Sequence, residues 1–171
     1  MNQNEKACST ILEMFSERGY TDIENGDEYI IAKKENGDGV YAFKNVIEKL
    51  NIEQIKIVIY KLGEIKISHG IVIHEEKPTS AVKNFLADSA NTDIKIELFP
   101  VVDLQYNPTK HVLVPKHVPL SRREAMEFRQ KYESKIPTLL KTDVISRFYG
   151  FERGMIIKII RPDTISYRIV K

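Results

Sequence analysis

Four groups of residues in this 171-residue chain could do chemistry, and each has a plainer role to set beside it. Asp38, followed downstream by Glu64-Ile65-Lys66, supplies two carboxylates and a lysine, the set a Mg²⁺-dependent phosphodiester hydrolase uses to hold its metal and assist a water. Asp38 falls in a glycine-flanked turn that already explains it. The alternating Glu64-Ile65-Lys66 reads equally as a half-exposed segment. His69 and His74 stand five residues apart and His111 and His117 six, with no nearby cysteine, which is not zinc spacing. Structural histidines are the better reading. Lys77-Pro78-Thr79-Ser80 precedes an apolar helix pattern, so free backbone N–H groups in its first turn, with Lys77 and Lys83 beside them, suit a phosphate. The plainer role there is a surface helix cap. The basic and aromatic residues Arg147, Tyr149, Lys158 and Arg161 are interface candidates, Arg and Tyr being types that anchor interfaces, although Tyr149 suits a core and Arg161 an internal ion pair. No catalytic residue, metal site or cofactor is assigned, because neither a triad arrangement nor a glycine-rich phosphate loop is present.

The elements that must position these residues follow from periodicity. Ala7, Ile11, Leu12, Met14 and Phe15 recur at helical spacing from Glu5 to Arg18, and Gly19 follows as a stop. Tyr29 to Ala32 and Val40 to Phe43 flank Asn36-Gly37-Asp38-Gly39, which predicts a hairpin. Asn51 to Leu62 fits either a strand or a helix. Asn51 as cap, with Gln54 reaching back, decides for helix. Strands are expected over Ile65 to His74 and Ile94 to Phe99, with a helix between them using Ala81, Val82, Phe85 and Leu86 as its apolar face. Strand, capped helix and strand make a βαβ-like unit.

Pro100, Pro108, Pro115 and Pro119 punctuate the next stretch, and charge changes sign across it. Residues 1–109 carry 12 Lys and Arg against 18 Asp and Glu; residues 110–171 carry 14 against 6. A boundary near Asn107 is therefore expected, dividing the chain into domains 1–107 and 108–171. Val112, Leu113 and Val114 are expected to open the second domain as a short strand. Ser121-Arg122-Arg123-Glu124 is a capping box for a helix through Tyr132. Asp143 caps a second helix that stops at Gly150, and Met155 to Ile160 and Ile165 to Val170 close the chain as a strand pair. The fold class is α+β: a mixed sheet with flanking helices, then a small α+β module.

The last 60 or so residues resemble the C-terminal module of the assembly subunit shared by the nuclear DNA-directed RNA polymerases of eukaryotes, found also in their viruses and with a counterpart among the small subunits of the archaeal polymerase. The resemblance rests on His111-Val112-Leu113-Val114-Pro115-Lys116-His117, Ile136-Pro137, Asp143 to Gly154, Met155 to Pro162 and Ser166 to Val170, in the family's order and near its spacing. The family usually has proline where this chain has Val144, and a longer connection than Asp163-Thr164-Ile165. Lys77-Pro78-Thr79-Ser80-Ala81 looks like the family's Thr-Pro-Ser-Ala turn with its first two residues exchanged.

The resemblance implies a non-catalytic polymerase subunit, its first domain a jaw and its second an assembly module docked on the largest subunit. It implies that Lys77, Pro78, Thr79, Ser80 and Lys83 lie near downstream double-stranded DNA. The subunit-interface expectation falls on Arg147, Tyr149, Lys158 and Arg161. The jaw points to a eukaryote or its virus, and its shortness tilts towards a virus. The expected location is the nucleus for a cellular protein, and the virion or host-cell cytoplasm for a viral one. No apolar run reaches the roughly 20 residues of a membrane span, no secretory segment is evident, and Cys8 has no internal disulfide partner. Two alternatives remain. The family's jaw is similar in fold to restriction-type endonucleases, which gives Asp38, Glu64 and Lys66 their interest; a stand-alone DNA-binding regulator is the other, without a recognition-helix or zinc-finger pattern to support it.

Overall fold

The computed structural model describes residues 1–88, 93–132 and 136–171. They divide into two compact units, Met1–Tyr106 and Asn107–Lys171. Both are mixed α+β, in agreement with the class read from sequence.

The first unit holds a five-stranded sheet ordered β1-β2-β3-β4-β5, from β1 (Asp22–Asn25), β2 (Tyr29–Lys33), β3 (Gly39–Ile47), β4 (His69–His74) and β5 (Lys95–Pro100). The expected hairpin is β2–β3, antiparallel with Ala32 opposite Val40 and Tyr29 opposite Phe43. Strands β3, β4 and β5 run parallel, so each connection must cross over through a helix: α2 (Ile52–Glu64), then α3 (Ser80–Asp88). Two right-handed crossovers taken in the same direction put both helices on one face. There Ile55, Val58 and Leu62 of α2 and Val82 of α3 pack on Tyr41 and Val72. Alternation turns Ile30, Ala32, Ala42, Ile71 and Ile73 to the opposite face, and α1 (Gln3–Glu17) contributes the buried Ala7, Ile11, Met14 and Phe15.

Local chemistry fixes these helices. Asn51 and Gln54 form the expected reciprocal cap on α2, with bonds of 2.9 and 3.0 Å, and Asn2 with Glu5 makes an equivalent one on α1, beyond the expectation. The strand expected from Ile65 begins later. Residues Ile65 to Ile67 instead terminate α2, because the Ile67 N–H donates to Leu62 C=O and the Lys66 N–H to Gly63 C=O, with Lys66 at φ 56°. A lysine in the left-handed region costs about 1–2 kcal/mol, which glycine there avoids. Lys66→Gly is expected to stabilise the protein by about 0.5 kcal/mol or more after the entropy of a freer unfolded chain is counted, read as a higher urea midpoint at unchanged m.

In the second unit the sheet order is β6-β8-β9-β7, from β6 (Lys116–Pro119), β7 (Thr138–Leu139), β8 (Ile156–Ile160) and β9 (Ile165–Val170). The closing hairpin is antiparallel as expected, with Ile157 opposite Arg168. Leu139, Phe151, Ile157, Ile159 and Val170 form its core. Helix α4 (Arg122–Tyr132) has the expected Ser121–Glu124 box, yet buries no residue and leans on the sheet through Phe128 against Tyr167. Helix α5 (Val144–Tyr149) starts at Asp143, whose side chain accepts the Ile145 N–H at 2.9 Å, and ends at Gly150 with φ 68°.

Two further expectations are corrected, and two strands were not foreseen. Val112 to Val114 is not a strand: it is a turn with Val112 and Leu113 exposed and Val114 half-buried, because the Val114 N–H closes on the His111 carbonyl, Pro115 has no N–H to pair, and β6 begins only at Lys116. Ala81 is exposed rather than part of the apolar face of α3. Strands β1 and β7 were missed, being too short and too polar at their ends to show a period.

Candidate nucleic-acid and subunit interfaces

The parallel strands end where the phosphate-suited residues lie. His74 closes β4 and is buried; its Nδ1 donates to the Glu76 carbonyl at 2.8 Å, folding the chain back on itself. The Glu75 and Glu76 N–H groups donate to Ile47 and Glu48 carbonyls at 3.0 Å each, tying the loop to the end of β3. So held, the loop delivers Lys77, Thr79 and Ser80 to the surface at the start of α3, with Pro78 half-buried and Lys83 exposed one turn on. Thr79 is the cap: its Oγ1 accepts the Val82 N–H at 3.3 Å and its carbonyl the Lys83 N–H at 3.1 Å. Loops outside the carboxyl ends of parallel strands are where α/β sheets place ligands, and this helix start can present N–H groups and two ammonium groups to an anion. The structure thus brings the five expected residues together.

The supposed nuclease set fares differently. Asp38 is held within its turn by Asn36, at 2.7 and 3.1 Å, while Glu64 and Lys66 occupy the last turn and the terminus of α2. No group of three His, Cys, Asp or Glu able to hold a metal occurs among the described residues.

The charged centre of the first unit was not foreseen. Glu97 on β5 accepts both guanidinium nitrogens of Arg18, at 2.8 and 3.0 Å, and His69 Nε2 at 2.6 Å, with the Lys95 ammonium 4.0 Å away. Burial alone would raise the Glu97 pKa; the His69 hydrogen bond and Arg18 outweigh it and hold the carboxyl well below the usual carboxylate range. The site is structural, joining the end of α1 to β4 and β5. Only the non-local pairing of residues 18, 69 and 97 makes it, so no local motif announced it.

In the second unit the four interface candidates divide. Arg161 is exposed and donates to Ser166 Oγ at 3.1 Å, and Lys158 is half-buried on β8 between Val118 and Tyr167. Tyr149 stacks on Phe151, 5.2 Å between centroids, and packs on the core, while Arg147 is half-buried in α5. Tyr149 therefore has the core role set beside its interface role. Nearby, Ser146 is wholly buried and its hydroxyl meets no hydrogen-bond partner among the described residues. An unsatisfied buried hydroxyl costs about 1–3 kcal/mol, so Ser146→Ala is expected to raise the melting temperature rather than lower it, a thermal scan being the measurement.

The chain is thus built of two α+β units, the first carrying an anion-suited corner at the start of α3. Residues 106–170 match the family model for RNA polymerase Rpb5, C-terminal domain. The chain is 30% identical to the DNA-directed RNA polymerases I, II, and III subunit rpabc1 of Dictyostelium discoideum, over 94% of this chain and 91% of that one. It is 31% identical to the corresponding Caenorhabditis elegans protein over 78% of this chain and 66% of that one. With the DNA-directed RNA polymerase subunit 5-like protein 1 of Arabidopsis thaliana it shares 28% over 94% and 90%. Among solved structures, it aligns to the DNA-bound ATP-dependent Type ISP restriction-modification enzyme LlaBIII at TM-score 0.46 and 18% identity, over 80% of this chain and 10% of that one. That likeness is too slight to carry an argument. The chain belongs to the Rpb5 family of shared, non-catalytic DNA-directed RNA polymerase subunits.

Proposed function

We propose that within its polymerase this subunit supports assembly on the largest subunit through residues 108–171 and forms, through residues 1–107, a jaw that guides downstream duplex DNA. The observation that carries the DNA half is the corner at the start of α3, where Thr79 caps a helix held at the sheet's carboxyl edge and Lys77 and Lys83 stand exposed beside it. A helix terminus contributes about 0.3–1 kcal/mol to an exposed anion, whereas even millimolar binding needs about 4 kcal/mol. The corner can therefore only steer DNA that the polymerase already holds. Polymerisation itself lies in other chains, and Arg147, Tyr149, Lys158 and Arg161 are the contacts proposed to them.

Crosslinking from a photoreactive residue at position 79 in an assembled elongation complex tests the DNA half. The expected product is an adduct to the downstream duplex; none, with a control label in the cleft reacting normally, leaves Thr79 a cap alone. For assembly, purification of the tagged full chain from its native source should recover the large polymerase subunits in stoichiometric amounts. A stand-alone regulator would instead bind duplex tightly without them. The compartment follows the polymerase: the nucleus, which the eukaryotic relatives favour, or the virion and host cytoplasm if the source is viral; immunolocalisation separates these.

A further inference from the structure

Two apolar side chains of the second unit lie outside every packed layer. Val112 is 92% exposed and Leu113 82%, more than any other large apolar residue among those described. The segment is nonetheless built, not loose. Upstream, the buried Asn107 side chain accepts the Thr109 N–H at 2.9 Å and its hydroxyl at 2.6 Å, starting a 3-10 turn over Pro108–Lys110. Within the turn, the Val114 N–H donates to the His111 carbonyl at 2.9 Å and the Leu113 N–H to His111 Nδ1 at 3.2 Å. Downstream, the Pro115 carbonyl accepts from the His117 ring at 2.7 Å, and burial pushes the His117 pKa down.

A turn fixed at both ends, holding two branched apolar side chains outward, has little freedom left to lose on docking. Two lysines, Lys110 and Lys116, flank the pair along the chain, and no Asp or Glu occurs from Asn107 to Arg123. We propose that Val112 and Leu113 form a docking knob that enters an apolar pocket rimmed by carboxylates on another polymerase subunit. This rests on the reading of the chain as an assembled polymerase subunit and names a contact that holds its second unit. A second copy of the same segment would set like charges against each other, and nucleic acid offers no apolar pocket for Leu113. An acidic-rimmed pocket on a protein satisfies both the side chains and the rim.

The test uses the tagged full chain, expressed in its native source, with incorporation measured as the ratio of tag to large polymerase subunits. Val112→Ser with Leu113→Ser is expected to leave the circular dichroism spectrum and melt unchanged, since neither residue is in a core, and to lower incorporation about tenfold or more. Lys116→Glu should lower it less. A photoreactive residue at position 113 should label a subunit peptide containing both apolar residues and Asp or Glu. Wild-type incorporation of the double variant overturns the knob, as does an adduct to lipid, to nucleic acid or to a second copy of this chain. Should the wild-type chain itself recover no large subunits, the polymerase reading falls and the knob with it.

Discussion

Arg18→Met is expected to destabilise the first unit by about 3–5 kcal/mol, because it strips a largely buried carboxylate of its bidentate partner. In a unit of this size that is a fall in melting temperature of roughly 15 °C or more. The effect exceeds what the pair contributes as a pair: most of it is the cost of leaving Glu97 charged and under-paired beside His69. Arg18→Met with Glu97→Leu should accordingly be more stable than Arg18→Met alone, although it removes a second polar group. Chemical denaturation of the four forms measures the coupling; a double variant less stable than Arg18→Met would show that the network contributes net stability. The pH dependence has a definite sign. Glu97 titrates lower folded than unfolded, so its stabilisation is fully present above the unfolded carboxylate range, near pH 4–5, and is lost as pH falls through the lower folded value. Wild type should lose stability on acidification through this group, and a Glu97→Gln form should lack that component of the slope.

Ile157→Ala is expected to have an effect of similar size on the second unit and a larger one on function. Ile157 is wholly buried at the centre of a core of five residues, and removing its branched end costs about 2–5 kcal/mol. A unit of 65 residues, Asn107 to Lys171, has only about 3–10 kcal/mol to lose at the usual stability per residue. The substitution should bring its unfolding transition down to low denaturant, seen by Tyr167 and Tyr149 probes, while signals from Tyr29 and Tyr41 in the first unit stay in place. Recovery with the polymerase should fall along with folding. The Val112 and Leu113 substitutions differ in kind, since they are expected to lower recovery in a chain that remains folded. Running both variants side by side separates a lost module from a lost contact.

Much of the fold was legible because local chemistry and periodicity agree. Asn51 with Gln54, Ser121 with Glu124, and Asp143 with Gly150 mark helix ends by side chains and turns that act within a few residues, and Asn36 to Gly39 marks a reversal. Each satisfies an orphaned backbone group at short range, so it survives being read without the rest of the molecule. The family resemblance lay in such segments too, in order along the chain. The corner at Lys77 to Lys83 was visible as a cap with flanking charge, but its position at the carboxyl edge of parallel strands was not.

Tertiary structure decided the rest. Arg18, His69 and Glu97 meet only because α1 ends against β4 and β5, and nothing in their own neighbourhoods distinguishes them from surface charges. Val112 to Val114 has the composition of a strand, and apolar residues in sequence carry no signal for whether a partner strand is waiting; the His111 closure and Pro115 leave none, so Val112 and Leu113 project to solvent. Tyr149 is placed on its core by Phe151, not by its own type. Composition sets what a side chain can do, and pairing across the chain sets what it is left to do, because burial and electrostatic partnership depend on neighbours in space.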